Sequence, residues 1–234
     1  MRIEFIGHAT FELSDGATRL LIDPFLAPNN PAAKLGADQV EPTHILLTHG
    51  HNDHIADAVA VAKRTGAHCV ALTELAGWLG EQGVERTSNP NFGGTVEFEW
   101  GSVKIVPAWH TNTTPDGTAI GPPSGLVIEI GGVTVYHLGD TALFGDLKLI
   151  GKRHSPDVAL VPIGGHFTMD RHDAAYACGL IGAATVIPCH YDTFPPIETD
   201  AEAFKVEVES ETGSRVMLLG PGDTYEVGAP GAGD

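Results

Sequence analysis

Short runs of apolar residues recur along the chain, and most of them end at a glycine, a proline or a polar residue. Runs of this kind, bounded by turn-forming residues, are typical of β-strands. The pattern predicts strands at residues 2–7, 10–13, 18–22, 45–47, 68–72, 95–99, 102–107, 124–130, 133–138, 157–162, 184–188, 215–219 and 224–227. Gly131 and Gly132, which separate two of these runs, predict a two-residue hairpin turn.

Apolar residues at helical spacing follow several of these strands. The segment that begins at His54 has them at positions 55, 58, 59 and 62, and Gly66 supplies a stop signal. Further helices are predicted at residues 73–82, after Asp170, and at 199–211. Residues 26–42 and 111–123 contain prolines and glycines without any period, and this composition predicts two loops.

The stretch 48–55 reads Thr-His-Gly-His-Asn-Asp-His-Ile and connects a predicted buried strand to a predicted helix. It holds four good metal-binding side chains: His49, His51, Asp53 and His54. Imidazole and carboxylate suit zinc, manganese, iron or nickel, whereas calcium prefers oxygen ligands alone. Because one catalytic ion usually takes three protein ligands, four candidates packed this closely favour two ions. The alternative is a histidine-rich loop that is merely solvated.

Single polar side chains follow four other predicted strands almost directly. They are His110, Asp140, His166 and His190. Residues this far apart in the chain meet only if their strands lie side by side with the same ends together, as strands do in open α/β sheets. The sequence therefore predicts one site, assembled at a common edge of the sheets.

The His-x-His-x-Asp-His order after an apolar strand resembles the metallo-β-lactamase superfamily. The resemblance extends to four further motifs: Gly7-His8-Ala9, Leu21-Ile22-Asp23-Pro24-Phe25, Gly139-Asp140-Thr141 and His190-Tyr191-Asp192-Thr193-Phe194-Pro195. Together these motifs resemble the small bacterial metal-dependent hydrolases close to the L-ascorbate-6-phosphate lactonases. The resemblance implies an α/β fold, a four-layer αββα sandwich, with one domain over residues 1–227 and a disordered tail at 228–234.

The resemblance also implies a ligand set for two ions. The first ion is assigned His49, His51 and His110, the second is assigned Asp53, His54 and His190, and Asp140 is shared between them. Asp53, Asp140 and His166 are the predicted catalytic residues. For His166 the hypothesis is a residue that orients the substrate or donates a proton to the leaving group, and the alternative is no catalytic role.

Two further residues are expected next to the ligands. Asp23 ends a buried strand, where a carboxylate is costly unless it is paired, and ligating imidazoles commonly donate their second N–H to such a group. An ordinary turn aspartate is the alternative. By the resemblance, His8 lies near the site and contacts a ligand or faces the substrate. A structural histidine with satisfied hydrogen bonds is the alternative for His8.

Composition narrows the class of protein. The chain has 234 residues with 42% hydrophobic and 18% charged residues, which is ordinary for a soluble globular protein. Its formal net charge of −17 repels phosphate backbones, so we predict no nucleic-acid partner. Anionic substrates are permitted at the metal site, but the charge of the whole protein does not steer them there. No apolar run reaches the ~20 residues of a membrane helix, and we predict neither membrane association nor a secretory leader. Three widely spaced cysteines without a Cys-x-x-Cys pair favour the cytoplasm.

These observations favour a hydrolase that acts on a small-molecule substrate. Two divalent ions, zinc before manganese, iron or nickel, would hold a hydroxide that attacks a small ester, lactone or phosphodiester. The sequence contains no nucleophile-elbow motif that would supply a serine instead. The alternative is a metal-dependent oxidoreductase, or a non-catalytic binding protein that the metal stabilises. A homo-oligomer is left open by the sequence.

Overall fold

The computed structural model describes residues 1–228, and within them fourteen strands form two seven-stranded sheets. In chain order the strands are β1 (Arg2–Gly7), β2 (Thr10–Asp15), β3 (Thr18–Ile22), β4 (His44–Leu46), β5 (His68–Val70), β6 (Thr87–Ser88), β7 (Thr95–Phe98), β8 (Gly101–Pro107), β9 (Ser124–Ile130), β10 (Val133–His137), β11 (Val158–Pro162), β12 (Thr185–Cys189), β13 (Arg215–Val216) and β14 (Thr224–Glu226). Every predicted strand is present, and β6 is an additional one.

The two sheets have the same plan. The first has the order β14-β1-β2-β3-β4-β5-β6, and the second has the order β13-β12-β11-β10-β9-β8-β7. In each sheet antiparallel strands continue into parallel ones, at β3 to β6 and at β10 to β13. Strand β8 runs in the direction of β10 because each is antiparallel to β9 between them. The segments that follow β8, β10, β11 and β12 therefore all leave the same edge of the second sheet.

Within the described residues, six α-helices cover the outer faces of the sheets, and one 3₁₀ turn follows β12. They are α1 (Asn52–Ile55), α2 (Ala58–Thr65), α3 (Thr73–Glu81), α4 (Leu147–His154), α5 (Arg171–Ile181), α6 (Ala201–Glu211) and the 3₁₀ turn Pro195–Ile197. One apolar core lies between the sheets, a second packs the first sheet against α1 to α3, and a third packs the second sheet against α4 to α6. These cores make the molecule a four-layer αββα sandwich, as predicted.

The single helix predicted after the histidine motif is two helices, and Asp57 lies at the break. Its backbone N–H donates to the Pro24 carbonyl at 3.1 Å instead of continuing α1. Its carboxylate accepts from Leu26 N at 2.7 Å and from Asn29 Nδ2 at 2.9 Å. Asp57 thus anchors the start of the 26–42 loop to the helical layer, a tertiary contact that helical periodicity does not report.

Helix α4 is absent from the sequence-based prediction. It is short, but Leu147, Ile150 and Gly151 face the core, and basic residues fill its last turn. At Gly151 the helix approaches α5 so closely that a Cβ atom would lie 2.2 Å from the Ile181 carbonyl oxygen. The spacing of the apolar residues and the basic last turn were available in the sequence as a signal for this helix.

Helix α5 begins with a side-chain cap that links the fold to the loop near the site. The Asp170 carboxylate accepts hydrogen bonds from His172 N and Asp173 N, both at 2.9 Å. Loss of such a cap costs about 1 kcal/mol, and we expect Asp170→Ala to lower the free energy of unfolding by that amount. Urea denaturation checks this, with Asp173→Ala as the control. Equal stability of the two variants would contradict the assigned cap.

None of the helices within residues 1–228 combines the length and the apolar character needed to span a bilayer. Of the tail predicted at 228–234, residues 229–234 lie outside the described part of the chain. The division into one domain and a tail stays a prediction.

Candidate metal centre

The histidine motif occupies the connection between β4 and α1. His49 and His54 are fully buried, whereas His51 and Asp53 are partly exposed. Ile120 packs directly on the turn: a Cβ atom at Gly50 would lie 2.1 Å from Ile120 Cδ1, so a larger residue there would have to displace the Ile120 side chain. Helix α1 begins at Asn52, so Asp53 and His54 project from its first turn while the two earlier histidines project from the loop.

The first cluster consists of His49, His51 and His110. The Nδ1 atom of His51 lies 3.1 Å from His49 Nε2 and 3.3 Å from His110 Nε2. His110 reaches this position from the segment after β8. The three imidazoles together offer nitrogen atoms within 4.8 Å of one another, which is compatible with a shared metal ion.

The second cluster consists of Asp53, His54, His190 and His8. Their ligand atoms also lie within 4.8 Å of one another. His190 follows β12 directly, and its Nε2 atom lies 3.7 Å from Asp53 Oδ2. His8 was predicted beside the ligands, and it lies within the same group of side chains.

Asp140 lies between the two clusters. Its Oδ2 atom is 3.8 Å from His49 Nε2 and 3.5 Å from His110 Nε2, both in the first cluster. The same oxygen is 3.1 Å from His190 Nε2, and Oδ1 is 3.4 Å from His54 Nε2, both in the second. The preceding Gly139 has φ +65°, and a Cβ atom there would lie 2.5 Å from the Ser124 carbonyl oxygen. Glycine therefore permits the turn that brings Asp140 to the centre.

Several buried polar atoms at the centre have no hydrogen-bond partner among the described residues. They include His54 Nε2, His190 Nε2 and Asp140 Oδ1. Buried polar atoms are nearly always paired, and these three converge on the space between the clusters. Imidazole nitrogen and carboxylate oxygen are both common ligands of zinc and of divalent transition-metal ions. The donor set therefore fits bound metal.

The imidazoles of the first cluster are in the form that binds metal. Burial disfavours the charged imidazolium and lowers the pKa values of His49, His51 and His110 below the ordinary value. All three are therefore neutral near pH 7. Since a metal ion binds the unprotonated nitrogen, this cluster has no proton to lose when it is filled.

His54 and His190 in the second cluster have raised pKa values instead. Burial acts to lower the pKa of His190, but the nearby Asp140 and Asp53 carboxylates raise that pKa to about 9. The Asp140 and Asp23 carboxylates likewise overcome burial and hold the pKa of His54 well above its ordinary value. Both histidines are therefore doubly protonated and positively charged at pH 7.5 in the metal-free protein.

We expect metal binding at pH 7.5 to release roughly two protons per chain, one each from His54 and His190. The observed enthalpy of zinc binding should then depend linearly on the ionisation enthalpy of the buffer. Titration calorimetry of the metal-free protein in three buffers of equal pH and ionic strength measures the slope. A slope of zero would contradict the assigned protonation states.

Comparison with known proteins identifies the family. The family model described as "Beta-lactamase superfamily domain" matches residues 2–190. A UPF0173 metal-dependent hydrolase from Methanopyrus kandleri is 48% identical over 231 residues, which cover 97% of this chain and 100% of the relative. Another from Shouchella clausii is 46% identical with the same coverage. This chain belongs to the UPF0173 metal-dependent hydrolases of the β-lactamase superfamily.

A solved structure supports this placement. Igni18, described as a metallo hydrolase from the archaeon Ignicoccus hospitalis, superposes with a TM-score of 0.87 at 34% identity. The match covers 97% of this chain and 99% of Igni18. The enzyme is thus a metal-dependent hydrolase, and its fold is that of the superfamily.

In this hydrolase Asp23 contacts the back of the second cluster. It is fully buried at the end of β3, and its Oδ2 atom accepts from His54 Nδ1 at 2.8 Å. The same carboxylate accepts from the backbone N–H of Thr48 at 2.8 Å and from its hydroxyl at 2.6 Å. Asp23 therefore has the position predicted for a partner of a ligating imidazole, and it holds His54 Nε2 toward the centre.

His8 contacts Asp53 from the other side. Its Nε2 atom lies 3.1 Å from Asp53 Oδ2, and its Nδ1 atom lies 2.9 Å from Thr193 Oγ1. Burial lowers the pKa of His8 to about 4, so the ring is neutral and carries one proton. A carboxylate at 3.1 Å requires a donor, which puts that proton on Nε2 and lets the Thr193 hydroxyl donate to Nδ1. His8 then fixes the orientation of Asp53.

His166 lies on an exposed part of the loop after β11. Its ring contacts the neighbouring Phe167, with the ring centroids 4.6 Å apart. Phe167 lines the cavity described below, and His166 is not among the lining residues found within the described chain. A catalytic role for His166 stays a prediction.

An open cavity of about 530 Å³ adjoins the two clusters. Four of its lining residues are candidate ligands: His51, Asp53, His110 and Asp140. The others are Asn52, Thr111, Thr113, Thr114, Pro115 and Phe167. Most of this second group belongs to the predicted loop 111–123.

Asn112 and Ile120 attach this loop to the histidine motif, and sequence reasoning missed both. The Asn112 side-chain oxygen accepts from Gly50 N at 2.8 Å, and Ile120 packs against the same glycine. Asn112 follows the ligand candidate His110 by two positions, which was a weak signal for a role near the site. Its partner 62 positions earlier in the chain was not readable from local pattern.

Proposed function

We propose that this protein is a dinuclear hydrolase that holds two divalent ions, zinc first among them, and cleaves a small ester, lactone or phosphodiester. The position of Asp140 carries the proposal. One carboxylate approaches imidazoles of both clusters within 3.8 Å, and a carboxylate in this position could offer an oxygen to each of two neighbouring ions. A single ion would use one cluster and leave the other without a role.

The chemistry that bound metal supplies is known in outline. Two divalent ions lower the pKa of a water molecule from 15.7 toward ~7 and so make hydroxide available near neutral pH, while their charge stabilises a developing oxyanion. Within the chain, Asp23 and His8 hold His54 and Asp53 in position, because each makes a hydrogen bond to the side chain it orients.

The cysteines support water as the nucleophile. All three are free and buried, and burial raises the pKa values of the Cys69 and Cys178 thiols to about 12. Burial, followed by the nearby carboxylates, also raises the pKa of Cys189 well above its ordinary value. A thiolate nucleophile is therefore not available near pH 7. Unpaired buried thiols also support our proposal that the protein works in the reducing cytoplasm.

The test combines metal analysis with a substrate panel. Elemental analysis of the purified protein should give two ions per chain, and zinc or manganese favours the hydrolase whereas iron favours an oxidoreductase. Turnover of lactones, bis-p-nitrophenyl phosphate and nitrocefin should be measured with and without chelator. One ion per chain under saturating metal would overturn the dinuclear site, and activity that survives full metal removal would overturn the proposed function.

A further inference from the structure

Apart from the candidate metal ligands, the described residues that line the cavity beside the clusters include no cationic side chain. Within residues 1–228, none of its lining residues is lysine or arginine. The lysines that do line a cavity, such as Lys148 and Lys152, border a different one beside α4 and α5. An anionic group on the part of a substrate remote from the reacting bond would find only hydroxyl groups, an amide and a phenyl ring.

Away from the candidate metal ligands, the charged side chain beside the cavity is negative. The single charged residue of the loop 111–123 is an acid, Asp116. Asp116 accepts hydrogen bonds from the Thr114 hydroxyl at 2.5 Å and from Thr118 N at 3.0 Å, which hold its carboxylate beside a lining residue. The whole protein adds a net charge of −17. An anionic group is therefore disfavoured in the part of the cavity that is remote from the ions.

An apolar contact is available at the mouth. Phe167 lines the cavity with 52% of its surface exposed, so its phenyl ring is accessible to a bound molecule. Thr111 and Thr113 also line the cavity, and their hydroxyl groups offer neutral hydrogen bonds. This combination is typical of sites that bind an uncharged molecule with an apolar part.

We infer that the cavity selects an uncharged carboxylic ester or lactone whose apolar acyl part packs on Phe167, in preference to an ester with an anionic group remote from the reacting bond. The inference rests on the proposed hydrolase function and narrows its substrate class. In the reaction, the oxygen of water bonds to the acyl carbon and the acyl–alkoxy bond breaks with its electrons on the alkoxy oxygen. One proton of water goes to that oxygen and the other leaves the new carboxylic acid.

A matched pair of substrates tests the inference in the metal-loaded enzyme. p-Nitrophenyl butyrate and mono-p-nitrophenyl succinate share the leaving group and the chain length, and differ by a terminal methyl or carboxylate. After correction for their rates with hydroxide alone, kcat/KM should favour the butyrate by about tenfold or more at low salt, and added salt should narrow the ratio. An equal or reversed preference would overturn the inference.

Two variants with matched controls locate the effect. Thr113→Lys places a cation at the cavity and should reduce the preference for the butyrate severalfold, whereas Thr224→Lys adds the same charge on the exposed face of β14 and should not.

Phe167→Ala should lower kcat/KM for the butyrate more than for p-nitrophenyl acetate. Phe92→Ala removes another exposed phenyl group, 37% exposed and outside the cavity lining, and should leave both rates unchanged. The assignment would be contradicted if Thr113→Lys left the ratio of butyrate to succinate unchanged and Phe167→Ala left the ratio of butyrate to acetate unchanged.

Binding gives a second measurement that does not require turnover. Titration calorimetry should show tighter binding of N-phenylbutanamide than of N-phenylsuccinamate to the metal-loaded protein, and Thr113→Lys should narrow the difference. Failure of all esters to react, with this binding preference intact, would overturn the proposed hydrolysis but support the selection of uncharged ligands. Tighter binding of the succinamate would overturn the selection itself.

Discussion

Replacement of Asp140 by alanine is expected to lower kcat/KM by about 10³-fold or more with any substrate that the enzyme hydrolyses. The variant loses the carboxylate that lies between the two clusters, and His54 Nε2 and His190 Nε2 lose the carboxylate oxygen nearest to each of them. Metal content should fall from two ions per chain toward one. Steady-state kinetics and elemental analysis of the same preparation measure the two effects together.

Control variants separate this effect from a loss of fold. Asp38→Ala removes an exposed carboxylate in the 26–42 loop, and neither activity nor metal content should change. Asp140→Asn keeps the size of the side chain but removes its charge, and it should also lose activity. Burial acts to raise the pKa of Asp140, but His190 and His54 hold it well below the ordinary range. The metal-free Asn variant therefore loses these buried ion pairs, and urea denaturation measures the loss of stability. Wild-type turnover in either Asp140 variant would contradict the proposed centre.

The sequence predicted the strands well because their signal is local. Each apolar run stands between turn-forming residues, and every predicted strand is found within residues 1–228. The four-layer arrangement followed from the resemblance, and the three apolar cores confirm it. The break between α1 and α2 was missed because it depends on contacts of Asp57 with residues in the 26–42 loop, and these contacts are distant in sequence.

The candidate site was also predicted only in part: its ligands were recognised, and some of the residues that support them were not. The seven predicted ligands, which were recognised by residue type and by position after strands, are brought together in the structure: His49, His51, Asp53, His54, His110, Asp140 and His190. Their supports were harder to predict. Asn112 and Thr193 are common loop residues, and their partners Gly50 and His8 lie far away in the chain. Only the folded arrangement shows which loop amide or hydroxyl reaches the centre.

The support that Asp23 gives to His54 leads to the second prediction with a large effect. Asp23→Ala should weaken metal binding by about 10- to 100-fold, as is usual when the partner of a ligating histidine is removed. It should also destabilise the metal-free protein by about 1–3 kcal/mol or more, because Thr48 N and His54 Nδ1 lose a buried acceptor. Competition with a zinc chelator and urea denaturation measure the two effects.

Asp23→Asn distinguishes orientation from simple stability. Thr48 N donates to Oδ1 of residue 23, so the asparagine should keep its oxygen there and turn its amide nitrogen toward His54 Nδ1. An amide N–H facing Nδ1 forces the proton of His54 onto Nε2, the atom that faces Asp140, and a protonated nitrogen does not bind metal. We therefore expect the asparagine variant to lose metal affinity with less loss of stability than the alanine variant.

Asp57→Asn is the control, because Asp57 is also buried but lies away from the ligands. It should change stability without changing metal affinity. If Asp23→Asn binds zinc as the wild type does, the proton of His54 is not held by Asp23, and the second cluster is oriented by its other contacts.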